Sequence, residues 1–288
     1  MGLQPGKEFE SFKRHFHELS AGMLSHPLDL PWTAFGKAKR ARAVIVDLIR
    51  SKIEMHGNCK GGEGSFMDLV LSAGGEGSLG EEEIADNLIG LFAGGHDTTA
   101  SALATLLKQL ALAPHVLQRL RTDCQKLRDD KKEGEPLTWN DISGLHYLRN
   151  VISEGLRIVA PINGGFKQAK TDIVYGDYTI PKGWKVHYST RQTNNKKEYF
   201  CNPEKFDPDR FNERHEPFSF IPFGQGNRIC PGNEFAKLEM QVFLYHLVLR
   251  YDWELVEADE RTIMFFIPYP THGLPLLLKP APPSSANT

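Results

Sequence analysis

The chain has 288 residues, of which 40% are hydrophobic and 24% are charged. This apolar content suffices for one large core or for at most two domains. The formal net charge of −2 at pH 7 gives no overall positive field, so nucleic acid and anionic membranes are not expected as electrostatic partners. The cysteines lie far apart without CxxC spacing, at Cys59, Cys124, Cys201 and Cys230. This spacing argues against a disulfide framework or a zinc site and favours a reducing compartment.

The first third of the chain contains two segments with apolar residues at helical spacing, which predict helices over residues 9–24 and 35–56. The glycine-rich stretch that follows holds a short helical candidate at residues 66–72. Residues 75–80 match a GxGxxG pattern, but no convincing strand precedes them and the glutamates at 81–83 would repel a pyrophosphate. Nucleotide binding is therefore not expected.

The three glutamates at residues 81–83 open a long predicted helix, because the helix dipole favours acids at that end. Ala113-Pro114 breaks it, and residues 114–130 begin the next helix. The apolar stretch at 84–113 is interrupted by charged side chains, so it predicts a buried core helix and no membrane span. Residues 1–10 are polar and charged, which predicts neither a signal peptide nor an anchor in this chain.

The remainder of the chain mixes helices with short strands. Residues 136–158 predict a turn followed by a helix, and residues 235–250 predict another helix. Residues 173–190 and 251–278 alternate as strands do, whereas 194–220 is irregular and aromatic, and 281–288 predicts a disordered tail. The fold class predicted is mainly α with a minor β sheet.

The segment PFGQGNRICPG, residues 222–232, is the most informative stretch of the sequence. Its first two glycines permit the positive φ of a tight turn. Pro231 is typical of the first position of a helix, which would put Cys230 at a helix N-terminus, where a thiolate is stabilised. Arg228 adds a cation suited to a carboxylate or a propionate. A buried structural cysteine before a helix is the alternative interpretation of Cys230 alone.

The segment AGGHDTT, residues 93–99, lies in the middle of the long predicted helix. Two adjacent glycines there cost about 1 kcal/mol each relative to alanine. A flat ligand lying against the helix is one compensation, because the missing β-carbons allow close approach. Asp97 is followed by Thr98, whose hydroxyl could divert a backbone carbonyl and leave room for water or dioxygen. Close packing of another helix is the structural alternative.

Two further segments carry opposite charges, a pattern that by itself is common on solvated helix faces. Glu154 and Arg157 share one face of a predicted helix. Arg210 lies between aromatic residues in the segment FDPDRF, residues 206–211.

The full spacing Phe223-x-x-Gly226-x-Arg228-x-Cys230-x-Gly232 resembles the haem-thiolate signature of the cytochrome P450 family. Residues 93–99 resemble the family's oxygen-helix pattern. Residues 154–157 and 208–211 are similar to its Glu-x-x-Arg and Pro-x-Arg-Phe motifs, and the motifs occur in the family's order.

The resemblance implies a P450-like fold with haem b (iron protoporphyrin IX) as the cofactor. It implies that Cys230 is the axial ligand of the iron, that Arg228 pairs with a propionate, and that Phe223, Gly226 and Gly95 contact the cofactor. It also implies that Asp97 and Thr98 deliver protons during dioxygen chemistry. Glu154, Arg157 and Arg210 would be scaffolding residues that tie a helix to the irregular segment before the cysteine loop.

The resemblance also predicts what this chain does not contain. Members of the family carry an N-terminal portion, with a membrane anchor in eukaryotic forms, and an early helix whose Trp and Arg lie beside the propionates. We expect residues 1–280 to form a single P450-like haem domain without these elements. The chain would then be a fragment, the result of a truncated gene prediction, or one part of a split protein.

The leading functional hypothesis is a haem-thiolate monooxygenase that uses O2 and an electron donor such as an NADPH-dependent reductase. Residues 91–99 and 235–239 are most similar to branches of the family that oxidise sterols, terpenoids or retinoids, so a hydrophobic small molecule is the expected substrate. The family resemblance implies a location at the cytosolic face of the endoplasmic reticulum membrane.

The alternative is a non-catalytic fragment with weak or no haem binding. A thiol-dependent hydrolase ranks below both, because no His and acid pair with Cys230 is recognisable.

Overall fold

The computed structural model describes residues 3–57, 67, 79–132, 134–264 and 267–282. The chain divides into two compact units, Met1–Gly94 and Gly95–Thr288, and the division falls inside one long helix. Most of the 66–72 helical candidate, the first four residues of the GxGxxG match, and residues 283–288 of the predicted tail lie outside the described residues.

The first unit is helical. Helix α1, Lys7–Gly22, packs on helix α2, Ala34–Gly57, and both lie within two residues of the predicted segments, so those predictions are confirmed. The helices come close at Gly22, where an added β-carbon would lie 2.3 Å from the β-carbon of Ala38. Its core is formed by apolar side chains of both helices and of the helix that begins at residue 81; the fully buried or nearly buried ones include Phe16, Ile45, Ile49, Ala85 and Leu88.

The helices of the second unit follow the sequence closely. Helix α3, Glu81–Leu112, opens with the three glutamates and contributes to both units. Helix α4, Pro114–Asp129, begins at the proline, as predicted. The predicted turn before residue 146 is instead a short helix, α5, Trp139–Gly144, because Thr138 and Asp141 cap it reciprocally. The remaining helices are α6, His146–Ile158, α7, Thr190–Asn194, and α8, Asn233–Arg250.

Four two-stranded antiparallel ladders complete the second unit, among the described residues. The pairs are β1, Gly164–Gln168, with β4, Lys185–Ser189; β2, Ile173–Tyr175, with β3, Tyr178–Ile180; β5, Tyr251–Leu255, with β8, Leu276–Pro280; and β6, Thr262–Met264, with β7, Pro268–Pro270. Gly176 and Gly183 lie in the turns that precede β3 and β4, and both have positive φ, +56° and +88°. Strand β1 was not predicted. The mainly α fold class with minor β structure is confirmed.

The core of the second unit lies between α3, α4, α6 and α8. Its fully buried side chains include Leu106, Leu110, Leu120, Val151 and Leu244. Helix α6 approaches α3 closely at Gly155, where an added β-carbon would lie 2.2 Å from the side chain of Leu106. A larger residue at position 155 would require the Leu106 side chain or α6 itself to shift.

Among the helices that the structure describes, none is by itself long and apolar enough to cross a membrane. One bent pair, α3 followed by α4 at an angle of 108°, meets the length and composition requirement together.

Candidate haem-thiolate site

The cysteine loop is held by its own backbone. The Cys230 amide donates to the carbonyl of Phe223 at 2.9 Å, which closes the loop. Inside it, the Ile229 amide donates to the carbonyl of Gly226 at 3.0 Å, across a 3₁₀ turn, Gly226–Arg228. Gly224 and Gly226 have φ of +74° and +75°. The predicted left-handed glycine turn is confirmed, and these positions need glycine because other residues are strained there.

The position of Pro231 differs from the prediction. Helix α8 begins at Asn233 with Gly232 as its N-cap, and its first helical bond runs from the Ala236 amide to the Gly232 carbonyl at 2.8 Å. Pro231 therefore precedes the cap and is not the first helical residue, so that prediction was wrong. The reason is that the carbonyl of Cys230 is used in a turn, where it accepts hydrogen bonds from the amide and the side-chain nitrogen of Asn233 at 3.3 and 3.1 Å.

The Cys230 thiol is free and half-buried. A β-carbon added at Gly232 would lie 3.9 Å from its sulfur, which is an ordinary van der Waals contact. Arg228 is exposed, two residues earlier. The ring of Phe223 packs against the core of the second unit, and the Lys237 ammonium lies 5.5 Å from its centroid. The loop is thus anchored at Phe223, while Arg228 is exposed and Cys230 is half-buried.

The glycine segment of α3 presents an open helix surface in the second unit. Gly95 is exposed, and an added β-carbon there would meet nothing within 4 Å. Among the described residues, no other helix therefore packs closely against Gly95, which was the structural alternative. Asp97 is exposed and Thr98 is half-buried, one residue before the buried Thr99. The neighbouring His96 is also exposed, and its Nδ1 lies 2.6 Å from Oδ1 of Asp97.

The charged residues of α6 form a buried ion pair. Glu154 and Arg157 each have 0% exposed side chains. Arg157 donates from Nε and Nη2 to the two carboxylate oxygens of Glu154 at 2.7 and 2.9 Å, a bidentate arrangement. Arg210 adds a third charge, since its Nε donates to Oε1 of Glu154 at 3.0 Å. One carboxylate therefore accepts hydrogen bonds from two guanidinium groups.

The network also reaches the irregular segment through backbone carbonyls. Arg157 donates to the carbonyls of Asn194 at 3.1 Å and Pro203 at 2.7 Å. Arg210 donates to the carbonyl of Cys201 at 3.1 Å. The structure thus brings the three charged residues singled out from sequence into one cluster, and the cluster fixes the path of residues 194–210.

Residues 5–278 match the family model described as cytochrome P450. The chain belongs to the cytochrome P450 family. The match spans both the glycine segment of α3 and the cysteine loop, and membership implies a haem-thiolate cofactor.

Relatives in this P450 family include proteins named as a monooxygenase and as a hydroxylase. A beta-amyrin 28-monooxygenase from Solanum lycopersicum is 38% identical over 288 residues, covering 97% of this chain and 60% of its own length. A protopanaxadiol 6-hydroxylase from Panax ginseng is 39% identical, covering 92% of this chain and 57% of its own length. This P450 chain therefore spans about three fifths of the length of such relatives.

Solved P450 structures share the fold. Retinoic acid-bound cyanobacterial CYP120A1 superposes with a TM-score of 0.84 at 31% identity, covering 95% of this chain and 64% of that one. The cytochrome P450DA heme domain, at 23% identity, gives a TM-score of 0.83 and supports the fold alone. The P450-like fold predicted from the motifs is confirmed.

The residues of this P450 chain fit a haem-thiolate group by their chemistry. A free, half-buried thiol provides one soft anionic donor of the kind that binds haem iron. The exposed guanidinium of Arg228 suits a propionate. The open surface at Gly95 leaves room for a flat ring against the helix.

Sequence reasoning missed several residues that shape the site. Asn194 is fully buried, and its side-chain oxygen accepts from the Ile221 amide at 3.4 Å, close to the start of the cysteine loop. Asn195 accepts from Arg157 at 3.3 Å. His215 packs on the rings of Phe200 and Phe211 at centroid distances of 5.1 and 4.7 Å. The run of aromatic residues in this segment was the available signal for such packing.

Proposed function

We propose that this chain is the haem-binding part of a monooxygenase that inserts one oxygen atom from O2 into a hydrophobic small molecule of the triterpenoid class. The observation that carries the proposal is the free, half-buried thiol of Cys230 on a loop with the family's signature spacing. The triterpenoid class is supported by relatives named beta-amyrin 28-monooxygenase and protopanaxadiol 6-hydroxylase, at 38% and 39% identity.

Cys230 would hold the iron of haem b, and Arg228 would pair with a propionate. Phe223, Gly226 and Gly95 would contact the cofactor, each by its place on the loop or on the open helix surface. When bound, haem would supply the dioxygen chemistry, to which a thiolate ligand contributes electron density. The positive φ of Gly226 keeps the loop in the shape that presents the sulfur.

Asp97 and Thr98 would move protons. The Asp97 carboxyl can hold a proton at Oδ1 or Oδ2, and the Thr98 hydroxyl can both accept and donate. They are consecutive residues of α3, so an acid and a hydroxyl lie within the same turn of the helix. General acids in such positions typically contribute about 10²–10⁴-fold to a reaction rate.

Glu154, Arg157 and Arg210 would act as scaffolding and not as chemistry, since two of them are fully buried. Residues 1–280 would work as a single haem domain. The partners would be O2, a hydrophobic substrate and an NADPH-dependent reductase, at the cytosolic face of the endoplasmic reticulum membrane. The family membership supports an electron donor and a hydrophobic substrate of this general kind.

The test is oxygen incorporation. The chain, supplied with a reductase, NADPH, ¹⁸O2 and beta-amyrin, should give a product that carries one ¹⁸O atom, with the second atom recovered in water. Thr98→Ala should consume electrons while forming less product, because the proton path is interrupted. A product without ¹⁸O, or equal coupling of electrons to product in the Thr98→Ala protein, would contradict the proposal.

A further inference from the structure

The side chains of His96 and Asp97 are hydrogen-bonded to each other on α3. The Nδ1 of His96 lies 2.6 Å from Oδ1 of Asp97, and the two side chains are 65% and 50% exposed. Consecutive residues on a helix do not face each other, so the contact requires both side chains to turn toward one another. The pair therefore has a defined geometry and is more than two neighbouring surface residues.

With an ionised Asp97 carboxylate, the contact favours one tautomer of the imidazole. A carboxylate has no hydrogen to donate, so the Nδ1 of His96 must carry the hydrogen in this bond. The neutral ring then has its lone pair on Nε2, which is the nitrogen that takes up a proton. This tautomer gives the ring two different functions, one at each nitrogen.

The pair lies beside an open part of the helix. Gly95 precedes His96 and leaves the surface uncovered, and the half-buried Thr98 follows Asp97. A proton that reached Thr98 from Asp97 would have to be replaced on the Asp97 carboxyl. His96 lies within hydrogen-bond distance of that carboxyl and can supply a proton to it.

We propose that His96 is a positioning residue that orients the Asp97 carboxyl through the Nδ1–Oδ1 bond and resupplies it with protons. This rests on the proposed monooxygenase function. In the step, the His96 Nδ1–H bond breaks as an O–H bond forms at Oδ1 of Asp97. Nε2 takes a proton from solvent at the same time. The ring ends neutral with its hydrogen on Nε2, and exchange with water restores the starting tautomer.

The first arm of the test is spectroscopic and needs no turnover. Long-range ¹H–¹⁵N correlation of the histidine-labelled full chain reports which ring nitrogen carries the hydrogen, and His96→Gln assigns the signal. The neutral His96 should be protonated at Nδ1, and Asp97→Ala should shift it toward the Nε2 form. His115, exposed on α4, is the control and should not change. A wild-type His96 protonated at Nε2 would overturn the inference.

The second arm separates orientation from proton supply. Gln at position 96 can donate a hydrogen bond to Asp97 but cannot pass a proton through its side chain. His96→Gln should therefore lower the fraction of consumed electrons recovered in product at least about tenfold. It should also enlarge the solvent deuterium isotope effect on product formation. His115→Gln should match the parent in both measurements. Parent-like coupling in His96→Gln would overturn the proton-supply role.

Hydrogen peroxide distinguishes this inference from the function on which it rests. Peroxide already contains the two electrons and two protons that O2 lacks, so product formation with peroxide should be equal in His96→Gln and the parent. A parallel loss with both oxidants would mean that position 96 only maintains the structure, and would overturn the inference. If the parent forms no product with either oxidant, the monooxygenase proposal fails, while the tautomer measurement still decides the His96–Asp97 contact.

Discussion

The charged network on α6 and the cysteine loop before α8 lie in the same unit, but they differ in burial and in the kind of hydrogen bond that holds them. Glu154 and Arg157 are fully buried and linked by side-chain bonds of 2.7 and 2.9 Å. The loop from Gly224 to Cys230 is largely exposed and is closed by backbone bonds, at two glycines with positive φ. The network is therefore held by bonds between buried charges, whereas the Cys230 thiol lies on a segment whose shape depends on glycine.

The largest effect on the free energy of unfolding is expected in the charged network on α6. Glu154→Ala would leave the buried guanidinium of Arg157 without its counter-charge, which should lower the free energy of unfolding by about 3–5 kcal/mol. Denaturant unfolding followed by circular dichroism measures this loss. The matched control is Glu254→Ala, because Glu254 pairs with Lys279 at 2.6 Å but is 64% exposed. The control should lose less than about 1 kcal/mol. Equal losses in both variants would show that burial does not distinguish the two pairs.

The second-largest effect on the free energy of unfolding is expected in the cysteine loop. Gly226→Ala forces an L-residue into a φ of +75° where nothing lies within 4 Å of the added β-carbon. The cost is then backbone strain alone, about 1–2 kcal/mol. Gly226→Asn should lose less, since asparagine tolerates the left-handed region. Thermal unfolding of both variants makes the comparison, and a larger loss in the asparagine variant would contradict it.

A smaller effect of opposite sign is expected on α3. Gly95→Ala places a β-carbon in open space on a helix, which should raise the free energy of unfolding by about 1 kcal/mol. The same substitution should lower haem content, because the β-carbon occupies the surface against which the cofactor would lie. Gly90→Ala, also on α3 with nothing within 4 Å, should gain the stability and keep the haem. Equal haem content in the two variants would remove Gly95 from the site.

The smallest effect concerns pH. Burial lowers the pKa of His215 from its usual 6.5, and the nearby Arg210 lowers it further. The unfolded chain then binds a proton at a higher pH than the folded chain. The contribution of the neutral His215 ring to the free energy of unfolding is fully present above pH 6.5. It is lost as the pH falls from 6.5 through the lowered pKa of the folded state. Unfolding measured across this window should show the loss, and His215→Phe should remove it. Stability that rises on acidification would contradict this account.

The helices were predictable from sequence because their signals are local. Pro114 marks the start of α4, and the glutamates at 81–83 mark the start of α3. Strand β1 was missed because its first two residues are glycines, which are depleted in strands, and because its partner β4 begins 17 residues after β1 ends, at Lys185. Such a pairing is set by the fold and not by the local pattern.

The site was predictable in its residue types but not in its contacts. The motifs identified Glu154, Arg157 and Arg210. The carbonyls of Asn194 and Pro203, which accept hydrogen bonds from Arg157, could not be identified, because every residue type has a backbone carbonyl. The bond between His96 and Asp97 was not expected, because adjacent helical residues normally point apart. The cap at Gly232 replaced the predicted helix start at Pro231, because the Cys230 carbonyl is used in a turn.

The measurement that tests the central claim most directly is the reduced carbon monoxide difference spectrum of the parent chain and of Cys230→Ser, each reconstituted with haem. A thiolate ligand gives a Soret band shifted far to the red, and we expect that band in the parent and its loss in Cys230→Ser. The same spectrum from both proteins would mean that the Cys230 sulfur does not bind the iron, and would contradict the account.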